Sequence, residues 1–394
     1  MKILWIGDGG TSTGFSRVCH EIGERLVADY GHSVDVLAIG YDAKTPINTN
    51  LRLWAAGMRM GFDRHLEVLQ QVMPDLVIFN EDIPFTLRRL FDNPQYDPEQ
   101  KLYRGPWKLA SYTPIDGEGF PGPWRKFPEF VETMPYTKYG AEALGLDRWI
   151  YHGVDSDTFH PLEDGPIVGE EDTFTSREQV REKYGIPQDA FVIGRVDSNS
   201  GRKDWPSTWR LVEYATEHIT DRPVVAVFHT LIKQAQHGVN FSALITRGRG
   251  KYIITDSKAW QSEDIAALMN TFDIFVSTTR GEGFGLTVAE ALACGVPVLA
   301  PRHSSLPEVV GPGGVLVEPG RVLTTPYGHD LRLPDVDTMA QQLVRLAREP
   351  ALLRGLGTAG LEHVRSTFSW DTAARQWDEF SRSLVEAPIA VGSS

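Results

Sequence analysis

The chain has 394 residues, enough for two domains that each bury a sizeable core. Hydrophobic residues make up 41% and charged residues 23%, proportions of a globular protein, which excludes a wholly disordered chain. Asp and Glu outnumber Lys and Arg by 52 to 39, and the net charge of −13 disfavours a nucleic-acid-binding protein, because phosphate binding calls for a basic surplus. Two cysteines, Cys19 and Cys294, are too few for a disulfide framework or a Cys-rich metal site, which fits a reducing cytoplasm.

The first part of the chain alternates between predicted strands and helices. In chain order the predicted elements are a strand over 2–6, a glycine-rich loop over 8–16, an amphipathic helix over about 17–29, and strands over 33–39, 76–79 and 107–112. A β–loop–α–β opening of this kind predicts an α/β fold with a doubly wound parallel sheet.

The alternation restarts after an acidic loop at 163–175 that contains Pro and Gly. The predicted strands are 191–194, 224–228, 252–255 and 274–277, and the predicted helices are 176–184, 205–217, 262–270, 286–294, 337–348 and 370–385. The restart predicts a second doubly wound domain rather than one long sheet. Ligands of such folds bind outside the carboxyl ends of the strands, so two of them in tandem predict a cleft between their strand ends.

The division predicted from this pattern has three parts. Residues 1–160 form an N-terminal Rossmann-like domain, 161–366 a C-terminal one, and 367–394 a final helix that ends in a frayed tail. No apolar stretch reaches eighteen residues, and the apolar run at the N-terminus is too short for a signal peptide. We therefore expect a cytoplasmic protein without a transmembrane segment, and peripheral contact with a membrane surface stays open.

A glycine-rich loop between a predicted strand and a predicted helix is the most informative stretch. Residues 279–290 read Thr-Arg-Gly-Glu-Gly-Phe-Gly-Leu-Thr-Val-Ala-Glu. Free amides at the start of a helix, together with the helix dipole, favour phosphate or another anion. Glu282 and Glu290 frame the loop, and a carboxylate that accepts two hydrogen bonds suits a vicinal diol such as ribose. A merely solvent-facing Glu290 is the alternative, which its apolar neighbours disfavour.

A second anion-binding pattern follows the predicted strand over 191–194. Arg195, Arg202 and Lys203 lie within nine residues of an otherwise acidic chain. Fixed Arg and Lys side chains stabilise the negative charge that develops on a diphosphate leaving group. The alternative is a solvated basic turn, which fits Arg202 better than Arg195.

Several motifs, in this order, resemble those of glycosyltransferase family 4. They are His-Gly-Val-Asp at 152–155 with Phe-His-Pro at 159–161, the pair Glu282 and Glu290 as E-x7-E, Ala289 to Val298, Leu306 to Val310, and Phe-Ser-Trp at 368–370. The resemblance covers nearly the whole chain. It implies the GT-B architecture of two Rossmann-like domains facing across a cleft, with a C-terminal helix over 367–394 that packs back on the first domain. It also implies retaining transfer of a sugar from a UDP- or GDP-linked nucleotide diphospho-sugar, with no cofactor and no metal required.

The resemblance also assigns roles to residues. Glu290 would bind ribose, Arg195 and Lys203 the diphosphate, and Glu282 with the amides of Gly283 to Leu286 the sugar. Arg202 can replace Lys203, because the spacing is about one residue longer than the commonest pattern. The donor site so implied comprises Gly9, Gly10, Arg195, Arg202, Lys203, Gly283, Phe284, Gly285, Leu286, Thr287 and Glu290, and the catalytic set comprises Arg195, Lys203, Glu282 and Asp116. The first domain would supply most of the acceptor site.

Asp116 departs from the family pattern. Many relatives place a cleft-lining His in the segment that follows the strand over 107–112, whereas this chain has Asp116. Its carboxylate would hydrogen-bond a sugar hydroxyl or orient the acceptor. Capping of its own turn is an equally good interpretation.

The sequence also bears on metal sites and on alternative functions. The eleven histidines show no zinc-binding spacing, and Asp-Ser-Asp at 155–157 is interpreted as coincidental. The acceptor is expected to be a hydroxyl of a glycan, lipid, protein or small molecule, and less so a nucleobase. A nucleotide-sugar epimerase, a non-catalytic nucleotide-sugar-binding protein and a transferase acting on DNA bases are the alternatives, the last disfavoured by the charge of −13.

Overall fold

The computed structural model describes residues 1–11, 13–57, 59–232, 238–256 and 260–387. The chain divides into two compact units. Unit 1 comprises Met1–Ile115, Phe120–Gly153 and Ser369–Ser394, and unit 2 comprises Asp116–Gly119 and Val154–Phe368.

Unit 1 is built on a six-stranded parallel sheet in the order β3-β2-β1-β4-β7-β8. Its strands are β1 (Lys2–Asp8), β2 (Ser33–Ile39), β3 (Arg52–Ala55), β4 (Leu76–Asn80), β7 (Lys108–Thr113) and β8 (Glu132–Pro135), and β5 (Tyr96–Asp97) and β6 (Leu102–Tyr103) form a separate two-stranded ladder. The central strands are apolar runs buried on both faces, because helices cover both sides of a parallel sheet. Ile3 lies opposite Val34 on one side and Leu76 on the other.

Helices of unit 1 begin at side-chain caps where the sequence provides them. They are α1 (Gly14–Ala28), α2 (His65–Val72), α3 (Ile83–Phe91), α4 (Gly122–Arg125) and α5 (Lys138–Leu144), with a 3-10 turn at Phe127–Glu129. The Thr13 hydroxyl accepts the Ser16 N–H at 3.2 Å and fixes the start of α1, which buries Val18, Ile22 and Leu26 at helical spacing.

Unit 2 repeats the arrangement with strand order β13-β12-β11-β14-β15-β16, again all parallel. Its strands are β9 (Ile167–Val168), β10 (Thr173–Phe174), β11 (Phe191–Val196), β12 (Val224–His229), β13 (Lys251–Thr255), β14 (Ile274–Val276), β15 (Val298–Pro301), β16 (Gly314–Val317), β17 (Val322–Thr324) and β18 (Asp330–Arg332). The pairs β9–β10 and β17–β18 are antiparallel ladders outside the main sheet.

The helices of unit 2 flank this sheet. They are α6 (Arg177–Lys183), α7 (Trp205–His218), α8 (Phe241–Ile245), α9 (Ser262–Met269), α10 (Leu286–Ala293), α11 (Leu306–Val310), α12 (Val336–Ala347) and α13 (Pro350–Thr367), with a 3-10 turn at Gly201–Lys203. Two of them follow a residue with positive φ: Asp204 at +50° before α7 and Gly285 at +101° before α10. No helix within the described ranges has the length and apolarity needed to cross a membrane.

The last helix, α14 (Trp370–Glu386), belongs to unit 1, where it packs against α1. Ser369 caps it by accepting the Thr372 N–H. Trp377 is fully buried between Trp5 and Tyr112, with ring centroids at 6.0 and 5.1 Å. This helix therefore completes the core of the unit in which the chain began.

The division of the chain differs in detail from the one predicted. The units change at Gly153 and Val154, whereas the predicted boundary followed residue 160. The Val154 N–H donates to the Phe368 carbonyl at 3.2 Å, and the His160 carbonyl accepts from Asn270, so this stretch is bound to unit 2. The short segment Asp116–Gly119 also belongs to unit 2, which the sequence did not indicate.

Most predicted elements are found within two or three residues of their predicted ends, but several elements were missed, among them β3, α2, α3, α5 and α13. Glycines interrupt the apolar pattern of α13. Because Gly lowers helix propensity, the sequence does not indicate a helix there. The structure explains two of these glycines: a Cβ at Gly357 would collide with the Gly295 carbonyl oxygen, and one at Gly360 with the Leu292 side chain. The close packing of α13 against α10 therefore requires these glycines.

Candidate functional site

Two loops of unit 2 meet at the carboxyl ends of neighbouring strands. Strands β11 and β14 pair in parallel, so the loops that follow them emerge at the same edge of the sheet. The Arg280 N–H donates to the Arg202 carbonyl at 2.9 Å, and the Thr278 hydroxyl donates to the Asp204 carbonyl at 2.8 Å. These bonds join the loop after β11 to the loop after β14.

Five ionised side chains form what we call the charge cluster: Asp116, Asp197, Arg202, Lys203 and Glu282. Lys203 Nζ lies 2.7 Å from Asp197 Oδ1 and 2.6 Å from Glu282 Oε1. Arg202 Nη1 lies 3.2 Å from Glu282 Oε2, and its Nε lies 3.4 Å from Asp116 Oδ2. Glu282 thus bridges the two cations, one with each carboxylate oxygen.

The electrostatics of the cluster favour the charged forms of Glu282 and Arg202. Burial raises the pKa of Glu282, but Lys203 and Arg202 outweigh burial and lower it to about 2. Burial works against the charge of Arg202, yet the carboxylates of Glu282 and Asp116 raise its pKa above the ordinary value. The backbone is held as well, since the Glu282 N–H donates to Ser304 Oγ at 2.8 Å.

Arg195 lies beneath the cluster rather than on its surface. It is fully buried, and its guanidinium stacks 4.3 Å from the ring centroid of Trp205. Nη1 donates to Thr278 Oγ1 at 2.8 Å, and Nη2 donates to Asp197 Oδ2 at 3.0 Å and the Lys203 carbonyl at 2.5 Å. The sequence assigned Arg195 a direct diphosphate contact. The structure instead engages both of its terminal nitrogens in holding the loop that carries Lys203.

The glycine-rich loop after β14 is packed closely. A Cβ at Gly281 would collide with the Asp116 carbonyl oxygen, so this position requires glycine. Phe284 is buried, lies edge-on to Phe368 with ring centroids 5.2 Å apart, and has its carbonyl bound by Ser305 Oγ. Any contact of Phe284 with a ligand would therefore be through its backbone.

Helix α10 begins where this loop ends. The N–H groups of Leu286 and Thr287 open the helix and donate no backbone hydrogen bond to any residue that the structure describes. Gly285, in the left-handed region, turns the chain into the helix, and Gly283 precedes it in the same loop. Glu290 lies in the second turn of α10 and is 3% exposed, which rules out the solvent-facing alternative.

The segment Asp116–Gly119, which we call the strap, is bound to unit 2 by a single antiparallel bridge between Glu118 and Asp330. The Glu118 N–H donates to the Asp330 carbonyl at 2.9 Å, and the Asp330 N–H donates back at 2.7 Å. Arg332 Nε donates to Glu118 Oε1 at 2.7 Å. The strap thus joins the β17–β18 hairpin to the charge cluster.

Asp116 faces the cluster from the strap. Besides Arg202, its carboxylate lies 3.8 Å from Nε2 of His329, whose Nδ1 is bonded to Thr325 Oγ1. The two partners that the structure gives this carboxylate, Arg202 and His329, are both distant from it along the chain. His329 was missed because neither its neighbours nor its spacing marks it in the sequence.

Four predicted site residues therefore come together: Asp116, Arg202, Lys203 and Glu282. Asp197 was not assigned a role from the sequence. Its position between Arg195 and Arg202 could have indicated an ion pair with one of them. Among the described residues, no group of three or more His, Cys, Asp or Glu side chains could hold a metal ion.

The N–H groups of Gly9 and Gly10, which were predicted to contact phosphate, are already engaged within unit 1. Both N–H groups donate to the Ile39 carbonyl, at 3.3 and 3.1 Å. A Cβ at Gly10 would collide with the Tyr41 backbone, and one at Gly9 would crowd Val36. Glycine is required here because the loop packs directly against the end of β2.

Comparison with known proteins shows which proteins the chain is similar to. The profile of the family described as Glycosyl transferases group 1 matches residues 233–349. The MMP alpha-(1->4)-mannosyltransferase of Mycolicibacterium hassiacum is 36% identical over 124 residues, which are 32% of this chain and 28% of that protein. Over residues 233–349 the chain is therefore similar to the glycosyltransferases of this group, and it has the GT-B fold.

Solved structures of this fold cover almost the whole chain. Sucrose-phosphate synthase from Thermosynechococcus elongatus matches 98% of this chain and 100% of its own with a TM-score of 0.73 and 18% identity. Anabaena HepE in complex with UDP and glucose matches 97% and 100% with a TM-score of 0.68 and 17% identity. These likenesses show the fold. The chain spans between 22% and 62% of the length of the curated relatives that it matches.

Proposed function

We propose that this chain is a cytoplasmic glycosyltransferase whose unit 2 binds a nucleotide diphospho-sugar, UDP- or GDP-linked, and transfers the sugar with retention to an acceptor hydroxyl. One observation carries the proposal: Arg202 and Lys203, bridged by Glu282, lie at the carboxyl edge of β11 and β14, in the loops that lead into α7 and α10. Ligands of open α/β sheets bind at this edge.

The chemistry of these groups suits a diphosphate. The planar guanidinium of Arg202 is matched to phosphate oxygens, and about a third of its side chain is exposed. The open N–H groups of Leu286 and Thr287 add donors, and the dipole of α10 favours an anion at its start. We assign ribose binding to Glu290 and sugar binding to Glu282 with the loop amides that follow it.

The proposed transfer needs no protein nucleophile. The acceptor oxygen bonds to the anomeric carbon on the face of the leaving group, and the bond from that carbon to the phosphate oxygen breaks. The same phosphate oxygen takes the proton of the acceptor hydroxyl. Lys203 and Arg202 stabilise the negative charge that develops on the diphosphate, as fixed cations do at other phosphoryl leaving groups. The acceptor is a hydroxyl of a glycan, lipid, protein or small molecule.

The first test is thermal unfolding against UDP- and GDP-sugars and the free nucleotides, without metal and then with magnesium. A ligand that binds the folded chain raises the unfolding midpoint by mass action. We expect a rise with one nucleotide series, and the Glu290→Gln variant should bind that donor about 1–3 kcal/mol more weakly, because a buried diol loses a charged acceptor.

The control is Glu182→Gln, an exposed glutamate of α6, which should bind like the wild type. Product analysis with the bound donor then separates transfer to an acceptor from epimerisation, in which water attacks. No midpoint shift with any nucleotide or nucleotide sugar, in a protein that unfolds cooperatively, would reject the proposed donor site.

A further inference from the structure

The charges of the cluster are balanced within unit 2. Arg202 and Lys203 face three carboxylates, and the buried Arg195 adds a third cation behind Asp197. A diphosphate bound by these cations therefore competes with carboxylates that they already contact. At least one of these carboxylate–cation contacts must break when the diphosphate binds.

Asp116 differs from the other two carboxylates in exposure and distance. The side chains of Asp197 and Glu282 are 7% exposed and contact Lys203 at 2.7 and 2.6 Å. Asp116 is 31% exposed and lies 3.4 Å from Arg202, the one cluster cation that is itself a third exposed. Water screens such a pair more than a buried one, so the contact of Asp116 costs least to break.

The strap holds Asp116 in this place by bonds that do not involve the cluster. Glu118 is fixed by its backbone pairing with Asp330 and by the guanidinium of Arg332. The Asp116 carbonyl packs on Gly281, where any side chain would collide with it. Asp116 is therefore built into unit 2 next to Arg202, rather than free to move away from it.

We propose that Asp116 is a positioning residue that acts as the exchangeable counter-charge of Arg202: it orients the guanidinium, and the donor diphosphate takes its place. This rests on the proposed donor site. The guanidinium of Arg202 can donate two N–H groups to phosphate oxygens only when its contact with the Asp116 carboxylate is broken. Because Asp116 stays nearby, like-charge repulsion weakens the bound diphosphate and favours release of the nucleoside diphosphate after transfer.

The test is the affinity of Asp116→Asn for UDP, GDP and inorganic pyrophosphate, measured by calorimetry. We expect binding roughly three- to tenfold tighter than wild type, since one negative charge beside the phosphates is removed. Asp116→Glu keeps the charge and should bind like wild type. Asp164→Asn is the matched control, because Asp164 is a similarly exposed carboxylate of unit 2 whose ion pair with Arg365 lies outside the charge cluster.

A second variant keeps the test independent of Asp116 itself. Glu118→Gln weakens the bond to Arg332 that holds the strap, and we expect a smaller tightening of pyrophosphate binding with an unchanged unfolding midpoint of the ligand-free protein. A purely structural role for the strap would instead lower both affinity and midpoint.

The outcomes separate this inference from the proposed function. If wild type binds a nucleotide and Asp116→Asn binds it equally or more weakly, the inference is wrong and the donor site stands. An unchanged nucleotide affinity with a raised KM for the acceptor would make Asp116 an acceptor ligand instead. If only pyrophosphate binds, and more tightly to the variant, the inference stands and the nucleotide site fails; if no probe binds either protein, both fail.

Discussion

Glu282 and Lys203 stand 79 residues apart in the chain, yet their side chains meet at 2.6 Å in a nearly closed environment. Removing one partner of such a pair leaves an uncompensated buried charge, which costs far more than the pair contributes. Glu282 serves two cations at once. Its carboxylate is therefore the residue on which the geometry of the whole charge cluster depends.

The Glu282→Gln variant should accordingly lose about 3–5 kcal/mol in the free energy of unfolding at pH 7. The folded-state pKa of about 2 lies below the ordinary 4.5, so the stabilisation by Glu282 is complete above pH 4.5 and is lost as pH falls toward 2. Urea unfolding at pH 7, 5 and 3 should show the difference between wild type and variant shrinking at the lowest pH.

The control for this prediction is Glu318→Gln, an exposed partner of Arg302, which should leave stability unchanged at every pH. A difference between wild type and Glu282→Gln that stayed constant from pH 7 to pH 3 would contradict the assigned ion pairing.

Helices α13 and α14 show how single elements are fixed by what they pack against. Gly357 and Gly360 weaken α13 as an isolated helix but allow it to approach α10. Helix α14 is amphipathic, and its buried face carries Trp370 and Trp377 into unit 1. The last helix of the sequence is therefore part of the hydrophobic core of unit 1, which the first residues of the chain also build.

The Trp377→Ala variant tests this placement of α14. Trp377 is fully buried beside Trp5 and Tyr112, and truncating it leaves a cavity, so we expect a loss of about 3–5 kcal/mol in the stability of unit 1. Chemical unfolding followed by tryptophan fluorescence measures it. Arg375→Ala, on the exposed face of the same helix, should have little effect, and an equally small effect of Trp377→Ala would mean that α14 is not part of this core.

At the scale of the whole molecule, each unit has its own parallel sheet and its own hydrophobic core. The charge cluster, the strap and α10 all lie in unit 2. Ligand binding and core mutations should therefore act on different parts of the thermal unfolding profile.

Scanning calorimetry can show this directly. We expect the bound nucleoside diphosphate to raise the midpoint of the unit 2 transition by mass action and Trp377→Ala to lower that of unit 1. The two transitions are thereby assigned without separating the units. A nucleotide that shifted only the transition lowered by Trp377→Ala would contradict the placement of the donor site in unit 2.

The sequence predicted those features that depend on neighbours along the chain. The strand at Ser33–Ile39 was predicted at its observed ends, because a short apolar run between turn residues needs no distant partner to be recognised. The restart of the alternation predicted a second sheet, which is confirmed. The order of the motifs predicted a glycosyltransferase of the GT-B fold, in agreement with the profile match over residues 233–349 and with the solved structures of this fold. Lys203, Arg202 and Glu282 were likewise selected from local motifs, and their roles remain predictions.

What sequence reasoning could not supply depends on segments that are distant along the chain. Glu118 and Arg332 are 214 residues apart, and their pairing, together with the backbone pairing of Glu118 and Asp330, binds the strap to unit 2, where Asp116 faces Arg202. Packing also buries Arg195 beneath the loop that carries Lys203. In the same way, it brings the Ile39 carbonyl to the N–H groups of Gly9 and Gly10. A motif identifies which groups are present, but only packing decides which of them are already bound to the protein and which remain accessible to a ligand.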